Sequence, residues 1–287
     1  MGNALPQRRA FHFHPAIFAM LSSAVTHGSS SVQGPLWGRR ALDWSEVQEP
    51  QSGALYEIVL KALALTRDTA LLDVGCGSGL FCEIAASQGA SAMGLDASSA
   101  MLDLARRRTP RASFFEGEME ELPFVEKTFD VVTALNSLQH VTSPLGALME
   151  ARRVLKPGGK LVIAAWARPE KCQVSNYFRA LDELLPVAAS HTPAAFSFST
   201  DGMMAKLVAR AGFAKLIETE ALSIWDYADE DSALRGLFSI GAAIRAIDCA
   251  GEQRVREATL NFLAAYRLPR GGFRLENAFR YLIAKRA

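Results

Sequence analysis

The chain has 287 residues, 49% of them hydrophobic and 21% charged, with a formal net charge of +1. That balance excludes a dedicated nucleic-acid binder, which carries a clear basic excess, and the composition excludes disordered, collagen-like and disulfide-scaffold chains. No apolar run reaches the roughly eighteen residues that a membrane-spanning helix needs.

Residues 1 to 42 hold no Asp or Glu; the first acid is Asp43. The apolar run from Ala16 to Leu21, bounded by His12, His14 and Pro15, is too short for a secretory signal. Pro6 stands where N-myristoylation wants Ser or Thr. Residues 1 to 33 therefore read as a disordered extension, with organellar import as the alternative that the lack of acids suits. The four cysteines, Cys76, Cys82, Cys172 and Cys249, form no CxxC and no metal-ligand spacing, so reduced thiols of a cytoplasmic protein without a metal are expected.

From Trp37 the pattern turns regular. Trp37, Ala41 and Trp44 share one helical face, and a second helix is predicted from Ser52 to Leu65. Apolar strands are predicted at 70–74, 92–95, 112–115, 129–135 and 161–166, with helices at 80–88, 98–108 and 143–155 between them. Gly89 closes the first of these helices, Ser98 caps the next, and Ser143-Pro144 opens the third. Strands alternating with helices pair in parallel, and strands this apolar need both sheet faces covered. The prediction is an α/β fold with a doubly wound, mostly parallel seven-stranded sheet.

Beyond Ala167 come a helix at 171–185, a Pro/Ala/Ser-rich connection at 186–199 and a helix capped by Thr200-Asp201. A strand at 215–227, two helices within 229–266 and a last strand at 274–284 complete the chain. The two helices form a cap inserted before the last strand. Its apolar face carries Leu234, Leu237, Phe238, Ile240, Ile244 and Ile247, with Arg235 and Arg245 pointing elsewhere. One domain is expected over 34–287, with a helical lid at 37–65 and the cap at 229–268.

The most informative stretch is the turn after the first strand, where Gly75, Gly77 and Gly79 follow Asp73. Without β-carbons, this backbone can pass close to a ligand. A dinucleotide fingerprint needs a further glycine where Leu80 stands, which argues against a nicotinamide oxidoreductase. Asp96, at the end of the second strand, is placed to accept both hydroxyls of a ribose. Together they suit a nucleoside without a pyrophosphate.

Five segments in register, 71–79, 94–96, 116–124, 129–132 and 153–159, resemble class I S-adenosylmethionine-dependent methyltransferases. The subgroup is similar to the small-molecule enzymes related to ubiquinone and menaquinone biosynthesis, and the resemblance covers about residues 37 to 166. It implies a Rossmann-like methyltransferase fold with S-adenosyl-L-methionine as cofactor and S-adenosyl-L-homocysteine as product. It also implies direct displacement of the methyl group onto O, N or C of a small molecule. Carried onto this sequence, Gly75, Gly77 and Gly79 line the methionyl and ribose portions, Cys76 fills the turn, and Asp73 holds the amino end. Asp96 takes the ribose hydroxyls, Ala97 and Met101 pack on adenine, and Glu118 and Met119 read its edge. Asn136 lies beside the methionyl group, and Trp37 and Trp44 fold over the cofactor.

The methyl donor carries the hard chemistry, so the protein must align an acceptor and exclude water. A base is needed only for a protonated acceptor. His140 is a candidate for that base or for a wall of the pocket, with His191 and Asp226 behind it. Trp166, Phe196, Phe198, Trp225 and Tyr227 join His140 around an apolar or aromatic acceptor. The fourth strand lacks the Asn/Asp-Pro-Pro-Tyr/Phe box and the Pro-Cys nucleophile of macromolecule-directed relatives, which favours a small acceptor and no nucleic-acid partner. A monomer and a homodimer are both open. The alternative function is a cofactor-binding protein without methyl transfer, in a cyclase or regulatory role.

Overall fold

The computed structural model describes residues 28–186 and 192–287. The acid-poor stretch through residue 27 and His191 lie outside the described residues. Strands β1 (Ala70–Val74), β2 (Ser91–Asp96), β3 (Ser113–Glu116), β4 (Phe129–Leu135) and β5 (Leu155–Trp166) pair in parallel. Two long strands complete the sheet. β7 (Phe273–Arg286) runs antiparallel to both β5 and β6 (Phe213–Tyr227), which gives the order β3-β2-β1-β4-β5-β7-β6.

Helices α1 (Ser30–Gly38) and α2 (Ala41–Asp43) lead through a π-turn (Trp44–Gln48) and a 3-10 turn (Glu49–Ser52) into α3 (Gly53–Leu63). α4 (Leu80–Ser87), α5 (Ser99–Arg108) and α6 (Pro144–Val154) are the crossovers between parallel strands. α7 (Val174–Asp182), α8 (Thr192–Ala195) and α9 (Met203–Arg210) precede β6. α10 (Glu230–Phe238), α11 (Gly241–Ala250) and α12 (Glu252–Ala264) form the cap between β6 and β7. No helix among the described residues is long and apolar enough to cross a membrane.

Period-two alternation sends neighbouring strand residues to opposite faces. Leu71, Val131, Val162 and Ala164 join one core with α3, α4 and the cap, while Leu72, Val132, Leu161 and Ile163 join another with α6 and α9. Both faces of the central strands are therefore dry. The Ser98 hydroxyl accepts from the Met101 amide at 3.4 Å and that of Ser143 from the Gly146 amide at 3.1 Å, and both set where their helices begin.

Several predicted boundaries need correction. The ordered chain starts earlier than residue 34, since α1 opens at Ser30. Trp37, Ala41 and Trp44 do not lie on one continuous helix, because the backbone breaks at Arg40 (φ −128°, ψ 39°) and re-enters as a π-turn. Thr200 and Asp201 do not cap α9, which begins after left-handed Gly202. The cap holds three helices rather than two: the Ser239 hydroxyl donates to the Gly236 carbonyl at 2.6 Å, and Ile240 is extended. A side chain that bonds the preceding turn competes with the helix there.

Candidate active site

β1 and β4 are neighbours, yet the chain reaches β4 only after laying β2 and β3 on the other side. At such a reversal the crossovers diverge and leave a crevice beyond the strand ends. Here the turn at 75–77, the end of β2, the loop at 117–119 and the end of β4 bound it, and α1 and the π-turn roof it.

The turn is built for close approach. The amides of Gly75 and Cys76 both donate to the Leu95 carbonyl, at 2.7 and 3.1 Å, which pins the turn to β2. Gly75 and Gly77 have φ of 76° and 54°, in the left-handed region that favours glycine. A β-carbon on Gly75 would stand 2.4 Å from that of Ser137; one on Gly77 would enter the space before Glu49 and Trp44. Gly79 is not brought to the chamber wall with Gly75 and Gly77; a β-carbon on it would stand 2.8 Å from that of Ala105 of α5.

Asp96 closes β2 with its carboxylate accepting from the Gly77 amide at 2.9 Å and the Ser98 amide at 2.8 Å. Burial raises its carboxyl above the usual range, while these amides pull it back. Asp73 sits deeper, accepts from the Thr133 hydroxyl at 2.6 Å, and is pushed by burial to about 7. Cys76, Ala97, Met101 and Met119 continue the wall. Burial drives the Cys76 thiol well up, so it packs and does not attack. Glu118 also lines the chamber, while its oxygens accept from the Ser30 amide at 2.8 Å and the Glu120 amide at 3.3 Å.

Asn136 ends β4 in the left-handed region at φ 55°, its side-chain oxygen accepting from Gln139 at 2.8 Å. It borders both this chamber and an adjoining cavity of about 160 Å³, as do Trp37, Trp44 and His140. All four tryptophans of the chain, Trp37, Trp44, Trp166 and Trp225, line that second cavity, with Phe178 and Phe279. His140 packs its ring edge-on to Trp37 at 5.3 Å. Burial, and then the charge of Arg245, lower its imidazole to about 4.

Other predicted site residues lie elsewhere. Phe196 stands behind the cavity, 6.3 Å from Trp166 and 6.1 Å from Phe178. Phe198 belongs to the core on the opposite sheet face, with Met204 and Val208. The Tyr227 hydroxyl donates to Gln48 at 2.8 Å outside the cavity lining, and Asp226 pairs with Arg274 on the surface.

Two groups escaped sequence reading. Glu49, 2% exposed, accepts from the Ser78 hydroxyl and the Arg108 guanidinium. Arg108 also reaches the Ser45 hydroxyl at 2.9 Å and the Ser78 carbonyl at 2.9 Å, tying the π-turn to the glycine turn. Arg245 lines the aromatic cavity and does not point away from it. Two donors in this region are buried without a partner among the described residues: Trp44 Nε1, which would stand 3.3 Å from a β-carbon on Gly77, and Trp225 Nε1, whose ring lines the aromatic cavity.

Residues 72–163 match the family described as a methyltransferase domain. The chain is 35% identical over 148 residues to the demethylmenaquinone methyltransferase of Tropheryma whipplei (strain Twist), spanning 50% of this chain and 62% of that protein. It is 35% identical over 152 residues to that of Renibacterium salmoninarum, spanning 52% and 64%. The chain thus spans less than two thirds of the length of these curated relatives. Among solved structures, it is similar to the geranyl diphosphate C-methyltransferase of Streptomyces coelicolor A3(2), determined with S-adenosyl-L-homocysteine. That likeness has a TM-score of 0.51 and 17% identity, and covers 82% of this chain and 79% of that one. The YcgJ protein of Bacillus subtilis gives a TM-score of 0.54 at 17% identity, over 80% and 97% of the two chains. The structural likenesses show a shared fold. The segment that matches the methyltransferase-domain family, residues 72–163, is the one that builds the glycine turn, Asp96 and the end of β4.

Proposed function

We propose that the protein is an S-adenosylmethionine-dependent methyltransferase whose acceptor is a small apolar or aromatic molecule, methylated at O, N or C. One observation carries this reading: two adjoining cavities of opposite character meet at Asn136 and His140. The chamber over the glycine turn is lined by four carboxylates, Glu49, Asp73, Asp96 and Glu118, and among the described residues by no Lys or Arg. The second cavity is lined by aromatic side chains and contains no carboxylate. A cationic nucleoside suits the first, and an apolar acceptor the second. The relatives are named for demethylmenaquinone, a quinone rather than a macromolecule, and this supports an apolar, non-polymeric acceptor.

The residues fit the cofactor on several independent grounds. Asp96 offers a carboxylate to the ribose hydroxyls, and Ala97 and Met101 give adenine an apolar wall. Glu49 and Asp73 suit the ammonium, and the unpaired Trp44 Nε1 is a donor for the methionyl carboxylate. Trp37 and Trp44 meet edge to face at 5.1 Å, and their rings favour a nearby cation and exclude water. S-adenosylmethionine, when bound, supplies an electrophilic methyl on a sulfonium. His140, lowered to about 4, is neutral at pH 7 and a weak proton acceptor, so we read it as a wall that orients the acceptor. A cofactor binder without transfer is not favoured, because the aromatic cavity gives an acceptor room directly beside the chamber.

Incubation with methyl-labelled S-adenosylmethionine and a panel of aromatic acceptors is expected to give labelled product. Binding of the cofactor with no transfer across the panel would overturn the enzyme reading and leave the fold intact.

Asp73 provides a separate check. A cation binds best to ionised Asp73, so affinity for S-adenosylmethionine should rise as pH increases through about 7. An α-amino group, half deprotonated at about pH 7.7–8.0, loses its charge over an overlapping range, so affinity should pass through a maximum between about pH 7 and 8 and then fall. Calorimetry at stepped pH is expected to show this in the wild type and not in Asp73→Asn.

A further inference from the structure

Arg245 stands on α11 where that helix closes the aromatic cavity. It is half-buried and, among the described residues, has no ion pair or hydrogen-bond partner for its side chain. Asp248, one turn further on, is already held by Arg39 at 2.6 Å. The neighbouring arginines of the lid and cap are matched: Arg40 with Glu252 at 2.9 Å, and Arg235 with Asp43 at 2.7 Å and with Glu46. Arg245 alone of these four faces the cavity, and no Asp or Glu lines it.

A guanidinium half-withdrawn from water among indole and phenyl rings carries a desolvation cost that a counter-ion offsets. Its planar fork matches a carboxylate, which can take two parallel hydrogen bonds. The cavity volume of about 160 Å³ resembles the ~150 Å³ engineered cavity that admits benzene. One substituted ring therefore fits, with its acid directed to Arg245. A neutral quinone would leave that charge uncompensated.

We propose that the acceptor is a small aryl acid, its ring among Trp37, Trp166 and Trp225, its carboxylate on Arg245, and its opposite end toward Asn136 and His140. Placing that opposite end at the cofactor chamber rests on the methyltransferase reading; the acid-binding pocket does not.

Because all four tryptophans line the cavity, intrinsic fluorescence reports its occupancy without any methyl transfer. The full chain would be titrated with benzoate, phenylacetate and cinnamate, each paired with its neutral amide, with and without S-adenosylhomocysteine. At least one acid is expected to bind about tenfold or more tighter than its amide, as a hydrogen-bonded charge pair implies. Arg245→Gln should abolish that preference while leaving the amide affinity and the melting temperature near wild type. Arg245→Lys, which keeps the charge, should restore part of it. Equal affinities for acid and amide, no saturable binding of any acid, or an acid preference that survives Arg245→Gln would each overturn the proposal. Failure of the methyltransferase reading would show differently, as intact acid binding without methyl transfer.

Discussion

Replacing Asp96 with Ala is expected to weaken S-adenosylmethionine binding by about a hundredfold, measured by calorimetry. A hydrogen bond to a charged group contributes about 1.5–3 kcal/mol, so losing the two that ribose hydroxyls would donate removes roughly 3 kcal/mol or more. That corresponds to a factor of at least about a hundred. The same carboxylate holds the Gly77 and Ser98 amides, so its loss also frees the glycine turn that lies under the ligand. Asp96→Asn separates the two effects. It keeps the side-chain shape and one carbonyl acceptor but loses the charge, and an intermediate loss of about tenfold is expected. Unchanged affinity in Asp96→Ala would mean that no ribose lies against the end of β2, and the functional reading would fail with it.

What the sequence made legible was local. The glycine turn, the acid at the end of β2 and the caps at Ser98 and Ser143 are each set by residues a few positions apart, and the alternating strands and helices fixed a parallel sheet by simple connectivity. Long-range partnerships left no such trace. Arg108 lies 59 residues from Glu49, and the run Arg106–Arg108 reads equally well as a favourable end to a helix dipole. One continuous helix from Asp229 to Ile247 would point Arg245 away from the apolar face. The break at Ser239 and Ile240 restarts the helical phase and turns Arg245 toward the cavity. Phe198 was grouped with Phe196 by proximity in the chain, but the segment between α8 and α9 passes to the other sheet face. Trp225 and Tyr227 share a face of β6, as period two requires; only Trp225 lines the cavity, and Tyr227 stands behind Gln48, to which its hydroxyl donates.

Arg108→Met is expected to lower stability by about 3–5 kcal/mol, the usual cost of leaving one member of a buried ion pair alone. For a chain of this size that is a fall in melting temperature of about 10 °C. Glu49, almost wholly buried, would keep only the Ser78 hydroxyl and the Leu80 amide as partners. Its carboxyl already lies above the usual range, because burial outweighs the pull of Arg108. Between the ordinary and the raised value the folded state binds more protons than the unfolded one, so stability falls as pH rises through that window. Without Arg108 the folded value climbs further, and the window widens upward. The deficit of Arg108→Met against wild type should therefore shrink on acidification from pH 7 toward pH 5, because Glu49 of the variant takes up its proton before that of the wild type. Adding Glu49→Gln should recover much of the loss at pH 7 and remove the pH dependence of the deficit. Denaturant titrations of the wild type, Arg108→Met, Glu49→Gln and the double variant at both pH values give the comparison. A deficit that does not change with pH would mean that Glu49 is solvated when Arg108 is absent. The same experiment bears on the site, since Arg108 links Ser45 of the π-turn to Ser78 of the glycine turn. Cofactor affinity should fall with stability in Arg108→Met, because the roof that carries Trp44 is then tied to the turn only through Glu49 and by packing.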